Sequence, residues 1–192
     1  MEVKRIVMKL NHYYKSFKLK FYNVNILWYF TNNTPKITRI YLQEKSELPK
    51  LSTLSNLKEY TCNIVDDLMF NMIEFFKGIA IKFNLDIIDI DLCSDFQKQV
   101  LLAEYNIPRV YISTYKRIAT FIGNPKGSRA VGNALANNPF PLIIPCHRAV
   151  KSNGELGGFQ GGLKMKQELL QLEGIKFDKK NRVISKIYII SF

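Results

Sequence analysis

A cysteine acts as a nucleophile only as its thiolate, and a neighbouring base or positive charge makes that form accessible. In this chain the stretch Leu142-Ile143-Ile144-Pro145-Cys146-His147-Arg148-Ala149-Val150 carries a cysteine from an apolar run directly onto a histidine and an arginine. A cysteine after a buried run is by itself an ordinary small core residue, and a single histidine is ordinarily structural. Their adjacency, with Arg148 beside them, is what points to nucleophilic chemistry. It also sets a geometric condition. Neighbours in an extended strand face opposite ways, so a thiol and imidazole acting together need a turn here or a bridging water. Cys62, Cys93 and Cys146 are odd in number and widely spaced, which fits a reducing compartment rather than a disulfide framework. The histidines are His12 and His147, and no CxxC or HxxxH spacing occurs, so no metal and no cofactor are expected.

The segments around this stretch read as short capped helices. Ser94-Asp95-Phe96-Gln97 has the form of a capping box and opens a helix from Phe96 to Tyr105, stopped near Pro108. Ser113 or Thr114 caps a helix from Tyr115 to Ile122, and Gly123 suits the left-handed position that ends one. Asn124-Pro125 supplies a cap and a helix-starting proline for a second helix running to about Asn137. Two short helices about a tight turn form a candidate helix-turn-helix, although such pairs also occur in ordinary packing. The second helix, Gly127-Ser128-Arg129-Ala130-Val131-Gly132-Asn133-Ala134-Leu135-Ala136, is mostly tiny side chains around an inward Val131 and Leu135. Its two glycines cost roughly 1 kcal/mol each relative to alanine. Small side chains let a helix backbone approach another surface closely, either a nucleic-acid groove or a protein element.

The first half reads as mixed α and β without a chemical motif. Lys18 to Phe30 and Lys36 to Leu42 predict a hairpin about the five residues Thr31-Asn32-Asn33-Thr34-Pro35. Val65 to Ile79 shows helical spacing closed by Gly78, and Phe83 to Leu92 alternates weakly, predicting a further strand. An α/β class follows, with a scaffold over residues 1–90 and the chemistry in 94–192.

Charge separates the same halves. Of the net +12, residues 1–93 carry 13 basic and 10 acidic side chains, while 94–192 carry 15 and 6, hence +9 in the second half. A basic half beside a nearly balanced one is the footprint expected for a polyanion, or else a lysine-rich solvated surface. Lys4, Arg5 and Lys9 interrupt any apolar N-terminal run, so a signal peptide is not expected. Runs such as Ile26 to Phe30 are too short to span a bilayer. The expectation is a soluble monomer without membrane association, cytoplasmic, or nuclear in a eukaryote.

Ile144-Pro145-Cys146-His147-Arg148-Ala149-Val150 resembles the active-site signature of the O6-alkylguanine-DNA alkyltransferases. Gly123-Asn124-Pro125-Lys126 and Ser128-Arg129-Ala130-Val131-Gly132 resemble that family's helix-turn-helix, and Asn138-Pro139-Phe140-Pro141 its approach to the site. Gly157 to Lys164 and Leu169 to Gly174 resemble its closing loop and last helix. The resemblance is strong from about 94 to 178 and weak before that. It implies a ribonuclease H-like N-terminal sheet domain followed by a mainly helical one. It also implies a partner, double-stranded DNA bearing O6-alkylguanine, with O4-alkylthymine as a further candidate lesion.

By residue, the resemblance implies that Cys146 accepts the alkyl group once and irreversibly, with His147 as base through a water. Glu173 orients His147, and Asn138 braces the turn. Tyr115 donates its proton to the departing guanine and presses on the backbone phosphate. Arg129 enters the base stack in place of the flipped nucleotide. The implied DNA contacts are Tyr115, Lys126, Ser128, Arg129, Gly132 and Arg148, with Lys116 and Arg117 beside them. Pro141 and Phe159 wall the implied pocket, and the backbones of Ala149 and Gln160 read the base edges there. Lys166 matches a family lysine whose role stays open. A non-catalytic relative that only binds the lesion would lack the acceptor cysteine. A dimeric transcription regulator lacks a dimerisation element here. A papain-like hydrolase would depend on the remote His12. The glycine-rich loop lacks the Gly-Lys-Ser/Thr ending of a phosphate-binding P-loop.

Overall fold

The computed structural model describes residues 11–19, 22–44 and 57–184. Strands β1 (His12–Leu19), β2 (Tyr22–Thr31), β3 (Thr34–Glu44) and the two-residue β4 (Lys58–Glu59) form a sheet in the order β3-β2-β1-β4. The β1–β2 and β2–β3 pairs are antiparallel and β4 runs parallel to β1. Tyr22, Val24, Ile26 and Trp28 alternate along β2 and are buried. Val24 faces Leu42 and Ile26 faces Ile40, so an apolar ladder crosses into β3.

The hairpin is present, but its turn is two residues rather than five. Asn32 and Asn33 take φ of 48° and 61°, and Thr31 already pairs with Thr34. Positive φ at both central positions matches the twist of the flanking strands, and asparagine tolerates it. The expected single strand from Lys18 splits into β1 and β2. Lys20 and Phe21, between them, lie outside the described residues.

Helix α1 (Asn63–Phe76) buries Val65, Leu68, Met72 and Phe75, a stripe at helical spacing. The strand expected at Phe83 to Leu92 is not formed. Two single-turn 3₁₀ segments, Leu85–Ile87 and Ile90–Leu92, stand there, and only Ile88 bridges to Ile37. The Asn84 side chain accepts from the Asp86 backbone N–H at 2.9 Å. Such local bonds from short polar side chains compete with strand pairing.

Helix α2 (Asp95–Tyr105) is capped by Ser94, whose hydroxyl accepts from the Gln97 N–H. The Gln97 amide does not return to Ser94 as a full capping box would. It donates to the carbonyls of Ala134 and Asn137 at 3.2 and 3.0 Å, at the end of α4 (Ser128–Ala136), where helix carbonyls lack partners. Thr114 caps α3 (Tyr115–Phe121), and Gly123 takes φ of 76° beyond its end. Helix α4 starts at Ser128, later than its Asn124-Pro125 signal predicts. Residues 124–127 form a turn instead, closed by the Gly127 N–H on the Asn124 carbonyl at 2.8 Å. Asn124 and Pro125 are taken up by that turn, and the position before the helix falls to Gly127.

Two short parallel strands, β5 (Ser113–Thr114) and β6 (Ala149–Val150), bring the start of α3 alongside the residues after Cys146. Helix α5 (Gly162–Leu172) covers them with Met165, Leu169 and Leu170. One buried cluster runs from Leu19 of the sheet to Leu169 of α5. Hydrogen bonds among the described residues tie the sheet to the second half. Ile40 N–H meets the Pro139 carbonyl at 2.7 Å, Leu42 N–H the Gln160 side chain at 2.9 Å, and Tyr22 the Glu168 carboxylate at 2.9 Å.

Candidate active site

Cys146, His147 and Arg148 form one 3₁₀ turn immediately after Pro145, and all three are buried. This turn meets the geometric condition set by the sequence, since the cysteine and histidine are not strand neighbours. Its approach is strained, because the buried Leu142 takes φ of 74°. Asn138 spans the loop. Its amide donates to the Ile144 carbonyl and to the Cys146 sulfur, both at 3.1 Å, while its oxygen accepts from the Phe140 N–H at 2.9 Å. The bond to sulfur favours the thiolate, but burial dominates and pushes the thiol up to about 12.

His147 Nε2 lies 3.1 Å from Glu173 Oε1, and Nδ1 is buried without a hydrogen-bond partner among the described residues. Burial lowers the histidine's pKa, with Glu173 working the other way, and favours the neutral imidazole that a base requires. Glu173 also receives Arg148, through Nε on Oε2 at 2.8 Å and a terminal nitrogen on Oε1 at 2.6 Å. Burial opposes the carboxylate, yet the imidazole and the guanidinium outweigh it and hold Glu173 well below the usual carboxylate range. The remaining Arg148 nitrogen donates to the Ile107 carbonyl at 2.6 Å. The expectation of Arg148 as a DNA contact is therefore corrected. Its fork is buried and turned inward, with each of its three nitrogens bonded to a carboxylate or a carbonyl, so it stands as a clamp on Glu173.

Across the β5–β6 pair, the buried Lys166 ammonium donates to the Ala149 carbonyl at 2.6 Å and to the Tyr115 hydroxyl at 3.3 Å. Burial lowers Lys166 to about 8, against the pull of Cys146 and Glu104. Tyr115 is half-buried and its pKa is raised, by burial first and by Glu104 and Cys146 after it. Gly157 lies flat against this ring. A Cβ there would stand 2.0 Å from the tyrosine oxygen, so only glycine fits.

The remaining sequence-predicted residues divide by exposure. Pro141 and Ala149 are buried, and Phe159 and Gln160 half-buried. The Phe159 ring stands edge-on to His147 at 6.3 Å, which puts it beside the reactive turn. The Gln160 side-chain oxygen accepts from the Leu42 N–H, which ties this loop to the sheet. Lys116, Arg117, Lys126 and Arg129 are exposed on or beside α3 and α4, while Ser128 and Gly132 are half-buried on α4. Among the described residues, no three His, Cys, Asp or Glu side chains converge on a metal position, and no helix is long and apolar enough to cross a membrane.

The family described as 6-O-methylguanine DNA methyltransferase, DNA binding domain, matches residues 95–175. A methylated-DNA–protein-cysteine methyltransferase of Kluyveromyces lactis is 33% identical over 132 residues, 68% of this chain and 69% of the relative. The chain belongs to the methylated-DNA–protein-cysteine methyltransferase family. A member from Methanothermobacter thermautotrophicus is 40% identical over 104 residues, 54% of this chain and 58% of that protein. The match to that relative thus spans little more than half its length. Among solved structures, Mycobacterium tuberculosis OGT in complex with DNA is similar with a TM-score of 0.66 and 27% identity. That likeness covers 84% of this chain and 93% of the other. It reaches beyond residues 95–175 into the sheet, where the sequence resemblance is weak.

Within this methyltransferase framework, sequence reasoning left Lys166 without a role and missed Glu104. Glu104 sits on the buried face of α2 with Val100, Leu101 and Ala103 and is itself fully buried. The available signal was a charged residue four positions after Val100 and three after Leu101, in register with the apolar stripe.

Proposed function

We propose that the protein repairs O6-alkylguanine in double-stranded DNA by moving the alkyl group onto Cys146, once per molecule, and that it acts as a monomer. The observation that carries this reading is the buried turn. It holds a thiol bonded by Asn138, next to an imidazole bonded through Nε2 to a Glu173 that is clamped by Arg148. A resting thiol pushed up to about 12 is inert. Attack therefore requires a base, and His147 takes the thiol proton through a water. The Cys146 sulfur attacks the alkyl carbon, a carbon–sulfur bond forms, and the bond to O6 breaks. The departing guanine takes a proton from Tyr115, which Lys166 holds in place. The product is a thioether with no leaving tendency, so the protein is consumed.

The target atom lies inside the duplex and must be flipped out, at a cost of a few kcal/mol. Exposed Arg129 at the second position of α4 fills the gap, while Lys116, Arg117 and Lys126 supply sequence-independent phosphate contacts. Incubation with an O6-methylguanine duplex followed by mass spectrometry tests the reading. One methyl group per chain, mapped to Cys146, is expected. Multiple turnover, or methylation of Cys62 or Cys93 instead, would overturn it.

A further inference from the structure

Glu104 takes no part in the relay just described, yet its position is costly. Both carboxyl oxygens are buried without a hydrogen-bond partner among the described residues. Its backbone fixes it against the reactive turn. The Glu104 carbonyl accepts from the Ile107 N–H at 3.0 Å, and the Ile107 carbonyl accepts from Arg148 at 2.6 Å. The groups that face it electrostatically come from three elements: Lys166 of α5, Arg148 and Cys146 of the turn, and Tyr115 of α3. Glu173, the other buried carboxylate among the described residues, is taken up by Arg148 and His147. Lys166 reaches a carbonyl and a hydroxyl, but none of its hydrogen bonds goes to a carboxylate.

We propose that Glu104 is a positioning residue that gates the Cys146 nucleophile through the charge of the buried site. Protonated, it leaves the thiol facing the positive Lys166; ionised, it opposes the thiolate and closes the alkaline side of the reaction. This rests on the alkyl-transfer reading. Burial raises Glu104 to about 8, against Lys166 and Arg148, so at neutral pH it is largely the neutral acid. Lys166 sits at about 8 as well. Below that range the pair contributes one positive charge beside the thiol, and above it one negative charge. Glu104→Gln keeps the neutral side chain at every pH, and Glu104→Leu continues the apolar stripe.

The test is the pH profile of Cys146 labelling by iodoacetamide, which needs no DNA, followed by peptide mapping in the parent and both variants. Parent and Glu104→Gln should run together near about pH 6 and separate above neutrality. At about pH 9 the variant should be faster by roughly three- to tenfold, a shift of up to about one pKa unit in the thiol. Parallel profiles in a folded variant overturn the proposal. Loss of fold in both variants does so too, since Glu104 would then be structural. Methyl transfer from an O6-methylguanine duplex, measured alongside, separates the two readings. Diverging label profiles with no methyl on the parent remove the transfer reading and leave the action of Glu104 on the thiol. Methyl transfer with parallel profiles does the reverse.

Discussion

Arg148 stands in the basic half of the chain, directly after the reactive pair, and reads there as a phosphate contact. Its surroundings make it instead the clamp on Glu173, the carboxylate that holds His147. Removing one partner of a buried ion pair leaves the other uncompensated. Arg148→Ala should therefore lose about 3–5 kcal/mol of stability. Urea denaturation measures this, and a loss under about 1 kcal/mol would mean that Glu173 finds other support. The pH dependence has a definite sign. Glu173 is depressed in the fold, so its contribution is complete above the ordinary carboxylate range and disappears as the pH falls through its folded value. In Arg148→Ala that acid-labile part should shrink. Cys146→Ser separates binding from chemistry. A serine hydroxyl stays protonated and is a poor nucleophile, so undamaged-duplex affinity should match the parent while no methylated protein forms. Methyl recovered elsewhere on that variant would assign the acceptor role to another residue.

Helices α3 and α4 meet through a turn that depends on Gly123 at positive φ and on Gly127 packed against the Asn124 side chain. The turn presents α4 with Val131, Ala134 and Leu135 inward and Arg129 outward. Narrow side chains around one long cation suit a helix that lies in a groove and inserts a single residue. Without that residue, extrusion of the base relies on pocket contacts alone. Arg129→Ala should slow repair by roughly 10- to 1000-fold, equivalent to about 1.4 to 4 kcal/mol of lost support. The deficit should shrink opposite a mismatch, where less pairing is broken. Single-turnover rates on matched and mismatched duplexes decide it. Equal rates for variant and parent on both would remove Arg129 from the flipping step.

Across the whole molecule +9 of the net +12 falls in residues 94–192, the half that contains α3 and α4. Affinity for undamaged duplex should fall steeply with salt, because each neutralised phosphate releases counterions. Lys116→Ala and Lys126→Ala should each reduce the log–log slope by about one unit, while Arg148→Ala should leave it unchanged. A fluorescence titration reads the slopes, and salt-independent binding would contradict the proposed surface. The sequence alone determined the reactive pair, the helices around it and the caps of α2 and α3, because those signals act between residues a few positions apart. Ser94, Thr114 and Gly123 do locally what their types predict. It also determined the family, through motifs in order from 94 to 178. It could not determine whom Arg148 meets 25 residues away, or that Gln97 turns to α4 rather than to its own cap. Nor did it reveal that Glu104 is buried beside the reactive turn with neither carboxyl oxygen hydrogen-bonded among the described residues. In Phe83 to Leu92, weak alternation lost to side-chain bonds and aspartates that favour tight turns. These outcomes depend on which surfaces pack together. Burial then turns a solvated charge into a clamp or a gate, because water no longer screens it.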